Sequence, residues 1–296
     1  MAMRLRVSPF LVGVMAFIVL VLAGCGQMEE VQVPVDKQGE AAAGLRVSFV
    51  DVGKGDCILL QAGGAAALID TGYEETADEV VDYLRAQGVR WLSWVVVTHY
   101  DRDHVGGLRA IGQELGMDAL YLPSYEGADK QYAFVQEAVA DLGLPAQKTT
   151  QELSLALGPA ELVVYPSRLT YVPDANGDEG NDNDLSLVVA LTYGSDSYLF
   201  AGDLEEEGIE AYLEEHGGAF DVLKMPHHGR KSKATDDLLE SVRPQIAVVT
   251  DGEDDPADKK TLRLLEDAGA EVYRTSEDGT IVIASDGSGH YDVTTS

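Results

Sequence analysis

Cysteine is almost absent from this chain. Cys25 and Cys57 are the only two in 296 residues, so no disulfide framework holds the fold and an apolar core must do so. Histidine is scarce, with six residues. Cations are scarce too: 21 Lys and Arg face 51 Asp and Glu, a formal net charge of −30. That deficit argues against broad nucleic-acid or anionic-membrane binding through surface electrostatics. It leaves room for an anionic substrate where a few cations or metal ions dominate locally. What is present is 45% hydrophobic and 24% charged sequence, enough for one large domain or two small ones and too apolar for general disorder.

The N-terminus has the layout of a secretory signal: Arg4 and Arg6, then the apolar run "FLVGVMAFIVLVLAG", then Cys25. The tetrapeptide "LAGC", Leu22 to Cys25, resembles a bacterial lipobox. That resemblance implies cleavage before Cys25 and a lipid on its thiol; an uncleaved anchor helix is the alternative. Either places the domain outside the cytoplasmic membrane. The expected organisation is a signal over 1–24, a polar, Pro-containing flexible tether over 25–44 and one folded domain over 45–296. Cys57, inside the apolar "DCILLQ", is expected as a buried free thiol.

From Leu45 onward, short β-branched runs alternate with amphipathic stretches. "LRVSFVDV", "CILLQAG" and "AAALIDTG" read as three strands joined by Gly-rich turns. "TADEVVDYLRAQG" reads as a helix stopped by Gly88. "WLSWVVVTH" is expected as one buried strand, "VGGLRAIGQELG" as a helix and "KQYAFVQEAVADLG" as another. Strand pairs follow at 152–157 with 161–165 and at 185–192 with 198–201. Strands and helices then alternate: helix 205–214, strand 221–225, helix 235–242, strand 246–250, helix 259–268, and closing strands near Val272 and at 281–284. The pattern predicts an α+β fold, two sheets with helices on their outer faces around one core. "PDANGDEGNDND" opens with the spacing of a calcium loop, but has Glu179 where Gly is needed and Leu185 where the bidentate Glu falls. It is expected as an exposed loop.

Four of the six histidines occur in two clusters, each directly after an apolar strand: His99 and His104 in "VVVTHYDRDHVGG", His227 and His228 in "VLKMPHHGRKSK". A dinuclear hydrolytic site needs about six imidazole and carboxylate ligands gathered from several segments. If "THYDRDH" is extended, His99, Asp101 and Asp103 point one way and His104 follows as the chain turns into a helix. Asp203 in "LFAGDLEEE" reads on its own as an N-cap, and Asp70 in "LIDTG" as a turn residue. Their order along one chain is what carries weight.

"VSFVDVGKGDCILLQ", "LIDTG", "VVVTHYDRDHVGGL", "LFAGDL" and "LKMPHHG", in this succession, resemble the metallo-β-lactamase superfamily, and more closely the extracellular metallo-β-lactamase-like domain of ComEC competence proteins and its stand-alone relatives. The resemblance runs from about Leu45 to Gly287. It implies an αββα sandwich, four layers with two mixed sheets, and metals at one edge. By position it implies that His99 and Asp101 hold a first metal, Asp103 and His104 a second, with Asp203 bridging, His227 a further ligand and His228 facing the substrate. Asp70 would support the site loops, and Asp56 in the "GKGD" turn would line the site. The chain departs from the common pattern in four places. Asp101 stands where His is usual, which admits manganese beside zinc. The usual middle His is absent, Asn183 and Ser186 matching an N-x-x-S variant on the substrate side. Arg230 follows "HHG", and no late Gly-His-Pro segment occurs.

These readings converge on a lipid-anchored hydrolase using two divalent ions, Zn2+ or Mn2+, to activate a water and clamp a phosphate oxygen, with Asp103 orienting the water or taking its proton. Lys224, Arg230, Lys231 and Lys233 crowd the His pair, with Arg230 and Lys231 expected to meet a phosphorylated substrate or single-stranded DNA. No run of membrane segments follows, so a role in DNA uptake would need a channel partner. Hydrolysis of a small ester, thioester or lactone, or a non-catalytic binding module with an incomplete metal site, are the alternatives.

Overall fold

The computed structural model describes residues 44–127, 130–173 and 180–296. Cys25, the signal, the tether up to residue 43 and positions 174–179 of the polar loop lie outside the described residues. Among those described, no helix is long and apolar enough to cross a membrane.

The first sheet starts with β1 (Leu45–Phe49), β2 (Ile58–Ala62) and β3 (Ala65–Ile69), an antiparallel meander. Gly63 and Gly64 link β2 to β3 with φ of +57° and +80°, the left-handed pair that a two-residue hairpin turn requires. β5 (Val95–Val96), β7 (Leu120–Pro123) and β8 (Ala146–Thr149) extend it in parallel, and β16 (Ile281–Ser285) and β17 (Tyr291–Thr295) join antiparallel beyond β1. The order is β17-β16-β1-β2-β3-β5-β7-β8; β4 (Trp91–Leu92) and β6 (Gly116–Met117) pair apart from it. The second sheet has β9 (Leu153–Leu157), β10 (Ala160–Tyr165), β11 (Val188–Tyr193) and β12 (Asp196–Phe200) antiparallel, then β13 (Val222–Lys224), β14 (Ile246–Val249) and β15 (Glu271–Arg274) parallel.

Strand residues alternate between two apolar environments, as they must when both faces are buried. Ile58 and Leu60 of β2 join Tyr198 and Phe200 of β12 and Ile246 and Val248 of β14 in one core between the sheets. Leu59 instead packs with Val80, Val81 and Leu84 of α1 (Ala77–Ala86), Leu108 and Ile111 of α3 (Leu108–Glu114) and Val135 of α4 (Lys130–Leu142). Leu199 and Ala247 pack with Ile209 of α5 (Glu206–His216), Leu238 of α6 (Thr235–Val242) and Leu265 of α7 (Lys259–Asp267). The result is helix, sheet, sheet, helix: the expected four-layer αββα sandwich.

Local differences have local causes. The expected strand 91–99 is broken, only Trp91–Leu92 and Val95–Val96 being paired. The helix expected after His104 begins earlier, as α2 (Arg102–Val105), and restarts as α3. A Cβ on Gly106 would stand 2.3 Å from the Glu74 nitrogen, and one on Gly107 2.2 Å from the Thr71 oxygen. The two glycines therefore let this chain press against the loop after β3. Asn183–Leu185 forms a 3-10 turn rather than the start of β11. The unanticipated strands β8 and β17 are the two edges of the first sheet, where one paired side and polar residues leave little pattern to read.

Candidate metal centre

The polar loops converge at the carboxyl ends of parallel strands, a common place for sites in such sheets. Asp70 follows β3, Thr98 and His99 follow β5, Asp203 follows β12, His228 follows β13 and Thr250 follows β14. From the first sheet, the loop out of β5 is pinned by Tyr100. Its hydroxyl donates to the Pro123 carbonyl at 3.0 Å, and its backbone nitrogen donates to the Tyr125 hydroxyl at 3.2 Å. Asp101 is extended (φ −66°, ψ 150°) and caps α2, so Asp103 and His104 sit on a helical turn rather than on an extended run.

Hydrogen bonding sets the imidazole tautomers. The Asp70 carboxylate, fully buried, accepts from the Thr98 nitrogen (2.7 Å), the Thr98 hydroxyl (2.7 Å) and His104 Nδ1 (2.8 Å). With its proton given to Asp70, the Thr98 oxygen accepts from His99 Nδ1 at 3.0 Å. His228 Nδ1 donates to the Thr250 carbonyl at 3.0 Å. All three rings thus carry a proton on Nδ1 and turn Nε2 inward, the orientation that outer partners impose on metal-binding histidines.

Inward, the atoms crowd. His104 Nε2 lies 3.4 Å from both His228 Nε2 and Asp203 Oδ1; His228 Nε2 lies 3.0 Å from Asp203 Oδ2 and 3.3 Å from Asp103 Oδ2. His99 Nε2 is 3.6 Å from Asp101 Oδ2. Ligands at zinc–nitrogen and zinc–oxygen distances of about 2.0–2.2 Å in a tetrahedron stand roughly 3.4 Å apart, which is the spacing seen. His99 Nε2 and Asp101 Oδ1 are buried with no hydrogen-bond partner, a costly state that a cation between them relieves. His99, His104 and Asp203 form one group able to hold an ion, and Asp103, His104 and His228 another. The donor set is imidazole and carboxylate, which suits a divalent cation.

The electrostatics agree. Burial by itself would make His104 less basic, but the Asp203 and Asp70 carboxylates outweigh it and raise its pKa well above the ordinary 6.5. Asp203, with Asp103 hydrogen-bonded as well, lifts His228 against the same penalty. His104, His228 and Lys224 hold Asp203 far below the carboxylate range despite burial. Burial and then the Asp101 carboxylate push Asp182, hydrogen-bonded to Asp101, up to about 7.

His228, expected to face the substrate, takes the inward place expected of His227. Both have left-handed backbones, with φ of +47° for His227 and +50° for His228, ahead of Gly229 at +80°. This tight turn sends His228 into the cluster and His227 outward, where its Nδ1 lies 3.1 Å from Glu205. Asp56 was expected to line the site, but it is 1% exposed and bonded to Thr250 (2.6 Å) and Lys224, beneath the cluster and out of a substrate's reach. Ser186, also 1% exposed, accepts from the Asp203 nitrogen at 3.1 Å and so holds Asp203 in place. Asn183 donates to Glu205 at 3.2 Å.

Each member of the expected basic cluster has an acidic partner. Lys224 is buried against Asp56 and Asp203; Arg230 pairs with Asp255, Lys231 with Asp236 and Lys233 with Glu206. A groove of about 610 Å³ includes Asp51, Lys54, Tyr73, Glu253, Asp254 and Asp255. Gly55 places this groove beside the cluster, since a Cβ there would touch both Asp103 and the Tyr73 ring.

The supporting residues Thr98, Lys224 and Thr250 were not singled out as such from the sequence. "VVVT" and "AVVT" both end an apolar strand on a threonine that orients a histidine. Lys224 interrupts the apolar run Val222–Met225, and a charge inside a buried strand needs a partner.

Residues 50–249 match the family described as the metallo-beta-lactamase superfamily. The ComE operon protein 3 of Bacillus subtilis (strain 168) is 24% identical over 257 residues, covering 79% of this chain and 32% of that protein. Competence protein ComA of Neisseria gonorrhoeae is 29% identical over 256 residues, covering 85% and 32%. The chain thus spans about a third of the length of these curated relatives. Among solved structures, the metallo-beta-lactamase fold protein YhfI from Bacillus subtilis superposes with a TM-score of 0.54 at 14% identity, over 81% of this chain and 98% of that one, a likeness of fold.

Proposed function

The chain belongs to the metallo-β-lactamase superfamily and is related to competence proteins; from that premise we propose that it is an exported, membrane-anchored hydrolase of phosphodiester bonds that works with two divalent ions, zinc or manganese. The observation that carries this is the convergence of the His104 and His228 Nε2 atoms with Asp203 and Asp103 at metal-ligand spacing. Charge supports two ions: with the imidazoles neutral, as ligands are, the carboxylates Asp56, Asp70, Asp101, Asp103 and Asp203 are met by one ammonium, Lys224, leaving four negative charges for two divalent ions to balance. His99 and Asp101 would hold one ion and Asp103, His104 and His228 the other, with Asp203 shared. Bound there, the ions supply a nucleophilic water near neutral pH and polarise the scissile group.

The chain's own residues do the rest. Thr98, Asp70 and the Thr250 carbonyl keep the three rings in register. Asp103 is kept ionised by its hydrogen bond to His228, and by His104 and His228, against the cost of burial; its carboxylate at the mouth orients the water and accepts its proton. The "LAGC" stretch supports the lipid anchor on Cys25, and the competence proteins among its relatives support a nucleic-acid substrate and a DNA-uptake channel partner.

A second reading, hydrolysis of a small ester, thioester or lactone, is favoured by one observation. The groove beside Asp103 carries four carboxylates among its named walls and one cation, Lys54, itself 3.5 Å from Asp255. Assaying the purified protein with added Zn2+ or Mn2+ on bis(p-nitrophenyl) phosphate, single-stranded DNA and a lactone separates the readings. Phosphodiester cleavage that falls on the order of 10²–10⁴-fold in Asp103→Ala is expected. Cleavage of the lactone alone would favour the second reading, and no bound metal would favour a binding module.

A further inference from the structure

Beyond its charge, Lys224 has no part in the chemistry above. It is fully buried, at the end of β13, and its ammonium meets three acceptors: an Asp56 oxygen, the Gly202 carbonyl at 3.0 Å and Asp203 Oδ1 at 3.4 Å. Two of the three belong to the turn that presents Asp203. That turn is also held by the Ser186 hydroxyl on the Asp203 nitrogen and by the His227 nitrogen, which donates to the Gly202 carbonyl at 3.2 Å. The remaining Asp203 oxygen, Oδ2, faces His228 Nε2 at 3.0 Å. Asp203 Oδ1 also lies 3.4 Å from His104 Nε2, so both carboxylate oxygens face the cluster while Lys224 holds Oδ1 from the β13 side.

Stability alone does not account for a lysine here. Replacing a buried ion pair by apolar groups of similar size is often neutral or stabilising. A simple counter-ion for Asp56 would not need to reach Gly202 and Asp203 as well. We propose that Lys224 is a positioning residue of the metal centre: it fixes the rotation of the Asp203 carboxylate so that Oδ1 is aimed towards His104 and Oδ2 towards His228, while Asp56, anchored by Thr250, holds the ammonium in place. This rests on the metal-centre reading and adds to it a residue that never touches substrate.

The test must separate grip from charge, because removing one ammonium also changes the attraction for a cation. Lys224→Met/Asp56→Asn removes one charge of each sign and the grip. Lys224→Gln/Asp56→Asn removes the same charges but keeps an amide donor towards Gly202 and Asp203. Zinc dissociation constants by competitive chelator titration are read beside thermal melting of chelator-treated protein. The methionine double variant is expected to bind zinc ten- to a hundred-fold more weakly than the wild type, the usual effect of losing an outer-shell partner, while melting close to it; the glutamine double variant is expected to recover to within about threefold. Wild-type affinity in the methionine double variant would overturn the proposal, leaving Lys224 as a counter-ion for Asp56. Equal weakness in both doubles would overturn it too, because the donor would not matter. Failure of the wild type itself to bind zinc or manganese would refute the metal-centre reading instead.

Discussion

The two sheets furnish the centre in different ways. The first sheet delivers His99, Asp101, Asp103 and His104 from one six-residue stretch, braced by Asp70 and Thr98. The second delivers single side chains from separate strand ends, Asp203 after β12 and His228 after β13, braced by Ser186, Lys224 and Thr250. The first half is a local structure, a pinned loop running into a helical turn. The second exists only if three parallel strands keep their register, so its geometry is a property of the sheet.

Asp70→Ala strikes the brace of the first half and should have the largest effect. It strips the acceptor from three buried donors, which is expected to cost about 3 kcal/mol, roughly 6–12 °C of melting temperature. Metal affinity should fall ten- to a hundred-fold with it. A variant that melts and binds metal as the wild type does would show that the first half needs no brace.

Asp182→Asn probes the junction between the halves by pH. Burial and the Asp101 carboxylate raise the Asp182 carboxyl from 3.8 to about 7 in the fold. The folded form therefore holds this proton more tightly, and the stability it contributes is full below pH 3.8 and lost as pH rises through 7. In chelator-treated protein, the asparagine variant should gain on the wild type by a few degrees between pH 5 and pH 8. Parallel melting curves over that range would deny that the fold raises this carboxyl.

His227→Ala should do least. Its ring faces Glu205, 23% exposed, so metal affinity is expected to stay within about threefold of wild type, whereas His228→Ala should lose the ten- to hundred-fold or more of a direct ligand. The reverse order would mean that the left-handed turn places the pair the other way round.

This contrast also sets what could be read in advance. The first half was legible because its polar residues are contiguous: "THYDRDH" shows four candidates at once, and two sheets with outer helices follow from alternating apolar runs, the resemblance adding the αββα order. The helical placement of Asp103 and His104 was not, since a six-residue stretch with no apolar periodicity fits an extended or a helical path equally. In the second half Asp203 was an ordinary N-cap by itself, and only order along the chain gave it weight. Nothing in "PHHG" says which histidine a left-handed turn sends inward. Lys224 reads only as one of four cations crowding the His pair because the carboxylates that bury it, Asp56 and Asp203, lie 168 and 21 residues away in sequence.

The central claim, that both halves close on divalent ions through Asp203, is tested most directly by elemental analysis of the purified protein after zinc or manganese loading and desalting, with Asp203→Ala beside it. Two ions per chain in the wild type, falling below one in Asp203→Ala while the fold still melts cooperatively, is the predicted result. Less than one ion per wild-type chain, or the same content in both proteins, would contradict it.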